Sequence, residues 1–85
     1  MWYFYVLQSL AEPDYFYKGS TGDLKRRLPE HNNGKVCSTK PRRPWKLVYH
    51  EAYLTEKAAR KRESAVKNSG SVSVPLLKRI KKSLI

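Results

Sequence analysis

Trp2-Tyr3-Phe4-Tyr5-Val6-Leu7-Gln8-Ser9, followed after a short acidic break by Tyr15-Phe16-Tyr17-Lys18-Gly19-Ser20, is the stretch on which the fold turns. The first run is aromatic and β-branched throughout and reads as a strand. Leu10–Asp14 carries a proline and two acids and reads as a turn. Tyr15–Ser20 is a second aromatic strand, so the two pair as a β-hairpin. Alternation puts Tyr3 and Tyr5 on one face and Phe4 and Val6 on the other. Tyr15 and Tyr17 likewise share a face, opposite Phe16. Such tyrosines suit cross-strand packing, which leaves room for a hydroxyl that points into a cleft.

Outward from the hairpin, Gly19 and Gly22 mark its exit, and Asp23 can cap a helix running to about Asn32, with Asn33-Gly34 as its stop. Lys35–Pro44 is a basic loop bounded by prolines. Trp45–Tyr53 reads as a third strand. Thr55 can cap a helix running to about Asn68, ended by Gly70. Leu76, Leu77, Ile80 and Leu84 then repeat at helical spacing over about Val74–Leu84. The order ββαβαα makes an α+β plan, a small three-stranded antiparallel sheet flanked by helices, and a single domain over residues 1–85.

Charge is placed unevenly. The 85 residues hold 18 Lys plus Arg against 7 Asp plus Glu, a net +11, yet residues 1–17 contain no cation. The beginning of the chain is therefore core, with a basic surface laid over it by the rest. A charge of this size points to a polyanionic partner. The 12% aromatic content excludes a disordered basic tail. One cysteine, Cys37, excludes a disulfide framework and a multi-cysteine zinc site. It lies in a basic loop without an evident base, so a nucleophilic role is not expected. No apolar run approaches the roughly 18 residues of a membrane span. Met1–Leu10 has neither a positive lead nor a cleavage site, so a cytoplasmic location is expected.

Several residues break their local pattern. In the second helix Ala58, Ala59, Ala65 and Val66 share one face, and Glu63 falls four after Ala59 and three before Val66. A carboxylate on or beside that stripe needs a cation or a metal; an ordinary pair with Arg or Lys at the helix edge is the plain alternative. Arg27 and His31, four apart, face one way on the first helix, beside Lys25 and Arg26. The planar fork of an arginine near a helix start suits phosphate oxygens, and a solvated basic face is the alternative. A histidine such as His31 is more often a surface or capping residue. In the loop, Lys40, Arg42, Arg43 and Lys46 surround Trp45, a mixture suited to phosphate contact and base stacking, unless Trp45 belongs to the core.

Taken in order, Tyr5, Tyr17-Lys18-Gly19, Asp23-Leu24-Lys25-Arg26-Arg27, His31 and Glu63 resemble the GIY-YIG nuclease superfamily. The likeness is to its small single-domain bacterial type, with an excinuclease-like catalytic domain. Tyr3–Leu7, Tyr17–Thr21, His31–Lys35, Arg43–Tyr49 and Lys61–Glu63 match its successive segments. The resemblance implies hydrolysis of DNA phosphodiesters assisted by one Mg²⁺ or Mn²⁺. It implies that Glu63 is the metal-binding carboxylate and Arg27 the phosphate clamp. Tyr17 and Tyr5 would position or deprotonate the water, and His31 would assist. Lys67 resembles a recurrent lysine one turn after the glutamate. One carboxylate with waters suits Mg²⁺, and the scattered acids disfavour a two-metal site.

The sequence departs from the family in three places: Phe4-Tyr5-Val6 stands for Gly-Ile-Tyr, Lys18 for an apolar residue, and Pro29 interrupts the helix between Arg27 and His31. Lys18, Arg26, Lys35, Lys40, Arg42, Arg43 and Lys67 are the expected DNA contacts. Nothing here is a separate recognition module, so flapped, branched or damaged DNA is expected rather than a specific sequence, in repair or recombination, with a protein partner possible for targeting. The alternative is a basic nucleic-acid-binding module that keeps the fold without catalysis. The cationic helix Lys78–Lys82 also suits an anionic membrane surface, but so small a domain needs that helix's apolar side for its core, and no membrane partner is expected.

Overall fold

The computed structural model describes residues 1–84. Its sheet is built on β1 (Trp2–Ser9), which lies between β2 (Phe16–Thr21) and β3 (Trp45–Tyr53), antiparallel to both. A strand paired on both edges and covered on both faces has no place for a charge. Phe4, Tyr5, Val6 and Leu7 are accordingly all within 1% of full burial. Each apolar side chain so buried is worth about 1.5–3 kcal/mol.

Alternation along β1 makes two cores. Phe4 and Val6 join Phe16, Val66, Leu76 and Ile80 on one face. Tyr5 and Leu7 join Trp45 on the other, backed by Tyr17, Leu24, Leu28 and Leu47. The first face is covered by α2 (Glu56–Asn68) and α3 (Gly70–Ser83), the second by α1 (Leu24–Asn32).

β3 changes face midway. Val6 pairs with Tyr49 but Leu7 with Leu47, so Val48 is the extra residue of a bulge. Trp45 and Leu47 therefore pack beneath Tyr5 and Leu7, while Tyr49, Glu51 and Tyr53 share the side of Phe4. Trp45 is 2% exposed and its Nε1 donates to the Thr39 carbonyl at 2.9 Å. Of the two readings open for Trp45, base stacking and core, the structure bears out core.

The helix caps match the local sequence. Asp23 accepts from the Arg26 amide at 3.1 Å, and Thr55 from the Ala58 amide at 3.2 Å. After α1 the chain turns at Gly34, whose φ of +75° favours glycine. Pro29 lies within α1 without ending it. The second helix ends at Asn68 as expected, but Gly70 is not what ends it: one extended residue, Ser69, separates α2 from α3, and Gly70 begins α3. The Ser69 carbonyl accepts from the amides of Val72 and Ser73, so the break needs no glycine conformation. The second strand begins at Phe16, leaving Tyr15 exposed in the hairpin loop. Leu76 and Ile80 are buried against the sheet, which leaves Lys78, Arg79, Lys81 and Lys82 outward. Among the described residues no helix is long and apolar enough to cross a membrane.

Candidate active site

The tyrosine face of the sheet holds a buried polar chain. Tyr5 sits on central β1, opposite Gly19 of β2. A Cβ at Gly19 would lie 2.7 Å from the Tyr5 hydroxyl and 2.8 Å from Cζ, so only a glycine lets the ring cross the edge strand here. The Tyr5 hydroxyl is 2.8 Å from His31 Nε2, and His31 Nδ1 is 2.8 Å from Thr39 Oγ1. His31 is fully buried, which corrects the expectation of a surface or capping histidine. Burial, then the nearby Arg27 charge, lower its pKa to about 4, so the ring is neutral at neutral pH. Burial pushes the Tyr5 hydroxyl up to about 12, although Arg27 beside it pulls the other way.

Tyr17 stands next to this chain. Its ring centroid is 5.1 Å from that of His31 and 6.4 Å from that of Tyr5, and Lys67 Nζ lies 5.6 Å from it. It is only half-buried, and its hydroxyl makes no hydrogen bond to another described residue. Arg27 donates to Glu30 Oε1 at 3.0 Å, with Arg26 3.7 Å from the same carboxylate. Arg27 and His31 face one way as their spacing suggested, and the structure brings them beside Tyr5 and Tyr17, a grouping that only the family resemblance had implied.

Glu63 comes from the opposite face. In α2 it lies between the buried Ala59 and Val66, and it reaches the β2 edge. Ser20, on the Phe4 side of β2, donates to Glu63 Oε1 at 2.6 Å, and Lys67 Nζ donates to Oε2 at 2.6 Å. The plain alternative, a helix-edge ion pair, is therefore present. The carboxylate also borders an open cleft of about 400 Å³, lined by Ser20, Arg60, Glu63, Ser64 and Lys67. Lys67 links the halves, touching Glu63 and lying over Tyr17. The Glu63 charge reaches Tyr5 as well, raising its pKa slightly beside the larger effect of burial. The site therefore wraps around edge strand β2 at the position left bare by Gly19.

A metal is tested by these donors. Glu63, Ser20 and Ser64 offer hard oxygens at an open cleft. Among the described residues no three His, Cys, Asp or Glu gather. Such a set fits a hydrated Mg²⁺ or Mn²⁺ held through one carboxylate, and no caged ion.

The other expected DNA contacts scatter. Lys18 lies on the Phe16 and Ser20 side of β2, half-buried, and Lys35 and Lys40 are exposed. Arg42 is tied to Glu12 at 2.7 Å and lies 4.0 Å from the Tyr15 ring centroid. Arg43 donates to the Lys40 carbonyl and abuts Gly34. Three residues were missed: Ser20, Thr39 and Arg60. A pair such as Ser20 and Glu63, 43 positions apart, leaves no local pattern. Arg60 lies three before Glu63, so helical spacing was the signal that could have found it.

These features define a class of small α+β domains, with a tyrosine pocket on one face of the sheet and a lone helical carboxylate at its edge. A family model described as GIY-YIG catalytic domain matches residues 1–71, and the chain belongs to that family. It is 44% identical over 62 residues to a UPF0213 protein of Bacillus pumilus, covering 72% of this chain and 61% of that one. It is 41% identical over 70 residues to a UPF0213 protein of Lactiplantibacillus plantarum, covering 79% and 67%. It is 42% identical over 66 residues to UPF0213 protein lmo0166 of Listeria monocytogenes, covering 76% and 71%. The chain thus spans about three fifths of the length of the Bacillus relative.

Proposed function

We propose that residues 1–85 act as one catalytic domain, a metal-dependent DNA endonuclease that hydrolyses phosphodiester bonds at flaps, branches or damage in repair or recombination. The observation that carries this is Glu63 at an open cleft, with Arg27, Tyr5 and Tyr17 grouped across the same strand. Glu63, with water, would hold Mg²⁺ or Mn²⁺. Bound there, the ion would act as a Lewis acid on a phosphoryl oxygen.

The chain's own groups divide the remaining work. Arg27 exchanges Glu30 for phosphate oxygens and neutralises charge that builds on them. Lys67 turns from Glu63 towards the same phosphate. Tyr17, half-buried and unengaged at its hydroxyl, orients the attacking water. Tyr5, buried and with its pKa raised to about 12, is a poor base and supports Arg27 instead. Lys18, Arg26, Lys35, Lys40, Arg42 and Arg43 act through phosphate contact alone.

A panel of flapped, forked, nicked and mispaired DNAs with Mg²⁺ or Mn²⁺ tests this. Cleavage that EDTA abolishes is expected. A second reading, a binding module without catalysis, is favoured by one observation: Glu63 and Arg27 are both already paired, with Lys67 and Glu30. Salt-sensitive binding, no cleavage on any of these DNAs, and no Mn²⁺ at Glu63 would support it.

A further inference from the structure

We infer that Thr39 is a positioning residue, whose hydroxyl holds His31 as the Nδ1-protonated tautomer and so keeps the Tyr5 hydroxyl donating to His31 Nε2. Its effect on cleavage rests on the nuclease function proposed for the site; the tautomer does not.

Thr39 is fully buried just before the short 3-10 turn Lys40–Arg42. It is fixed by its backbone: its amide donates to the Val36 carbonyl at 3.2 Å, and its carbonyl accepts from Trp45 Nε1. Its Oγ1 lies 2.8 Å from His31 Nδ1 and 3.2 Å from the Val36 carbonyl. A hydroxyl has one proton, and a carbonyl can only accept. With that proton on Val36, Oγ1 has lone pairs left for His31, and Nδ1 must be the donor.

The far end of the ring accepts the same state, with Thr39 as the group that decides it. Tyr5 Oη is 2.8 Å from Nε2, and the Arg27 charge is near enough to act on the same hydroxyl. A guanidinium has no acceptor. The Tyr5 proton therefore has His31 Nε2 to receive it, and the opposite tautomer would turn that proton towards Arg27. In a buried site such a stranded donor is costly. The neutrality of the ring, enforced by burial and by Arg27, leaves a single ring proton to place.

The directed chain runs from the Tyr5 hydroxyl to His31 Nε2, from His31 Nδ1–H to Thr39 Oγ1, and from the Thr39 hydroxyl to the Val36 carbonyl. Its consequence is at Arg27. The Tyr5 oxygen then has its lone pairs free for the nearby Arg27 guanidinium, which in this structure is paired with Glu30. Without the Thr39 hydroxyl, Nδ1–H loses its acceptor, the ring takes the Nε2–H form, and the Tyr5 proton faces Arg27.

Nitrogen-15 NMR of the imidazole in the full chain tests this, with Thr39→Val, Thr39→Ser and Tyr5→Phe as variants. The wild type, Thr39→Ser and Tyr5→Phe should all show Nδ1–H, and Thr39→Val should shift towards Nε2–H. Cleavage by Thr39→Val should fall by about ten- to a hundredfold, as for a catalytic group moved slightly out of place. Its DNA affinity should be unchanged, and Thr39→Ser should restore the rate. An Nε2–H ring in the wild type overturns the inference, as does a Thr39→Val ring that keeps the wild-type tautomer. If Thr39→Val does not fold, Thr39→Ala, which also lacks the hydroxyl, is read in its place with the same two outcomes. If the tautomers behave as expected while the wild type cuts no DNA, the nuclease proposal fails and the positioning role stands.

Discussion

Acid should destabilise this domain from about pH 6.5 downwards, and His31 is the reason. The folded pKa is about 4 against an ordinary 6.5, because the ring is buried beside Arg27. The unfolded chain therefore takes up the proton first, and stability falls as pH drops through 6.5 towards 4. Each pH unit in that window is worth about 1.36 kcal/mol. Relative to neutral pH, the loss is roughly 2 kcal/mol at pH 5 and saturates near 3 kcal/mol below pH 4. For a domain of this size, 2 kcal/mol lowers the melting temperature by about 10 °C. Glu51 does not interfere. Burial would raise its carboxyl, but hydrogen bonds from Arg62, Tyr49 and Tyr53 outweigh that and hold its pKa below 4.5. Its own contribution is therefore lost only at lower pH. Urea titrations at pH 7, 6 and 5, followed by circular dichroism, measure the slope in the wild type and in His31→Gln. The variant should lose most of the slope, whatever its absolute stability. Equal slopes in the two proteins, or an imidazole of His31 that titrates near 6.5, would refute the reasoning.

Gly19→Ala should cost about 1–3 kcal/mol in a thermal melt, since the new Cβ meets the Tyr5 ring at 2.7–2.8 Å; an unchanged melt would mean that the ring yields freely. Glu51→Ala removes the acceptor of Tyr49, Tyr53 and both bonds from Arg62, so a loss of about 1–3 kcal/mol is expected in denaturant titration. For DNA binding, Lys18→Ala and Lys35→Ala should each lower the slope of log K against log salt by about one phosphate contact, near 0.9. Arg42→Ala should change that slope least, because Arg42 is already paired with Glu12.

What was legible in the chain is what local chemistry determines. The alternation of Tyr3–Leu7 predicted two faces, and both became cores. Asp23 and Thr55 cap the helices where side-chain oxygens can reach the first free amides. Helical period set Glu63 apart as a carboxylate beside the apolar stripe of Ala59 and Val66, but it fitted an edge ion pair equally, and only the family resemblance gave it a metal. The rest depends on partners distant in sequence. The bulge at Val48 exists because β3 must serve two cores, and it decides that Trp45 is buried. His31 looked like a surface residue because nothing near it in sequence announces Tyr5, 26 positions away. Gly70 misled because a glycine after a helix usually closes it, whereas here an extended serine does so.

Glu63 is proposed to serve chemistry and not only structure. Its most direct test is a single-turnover cleavage assay with Mg²⁺ on flapped DNA, comparing wild type with Glu63→Ala, beside DNA binding of both measured by fluorescence anisotropy. The substitution should abolish cleavage while affinity stays close to that of the wild type. Undiminished cleavage by Glu63→Ala would contradict it.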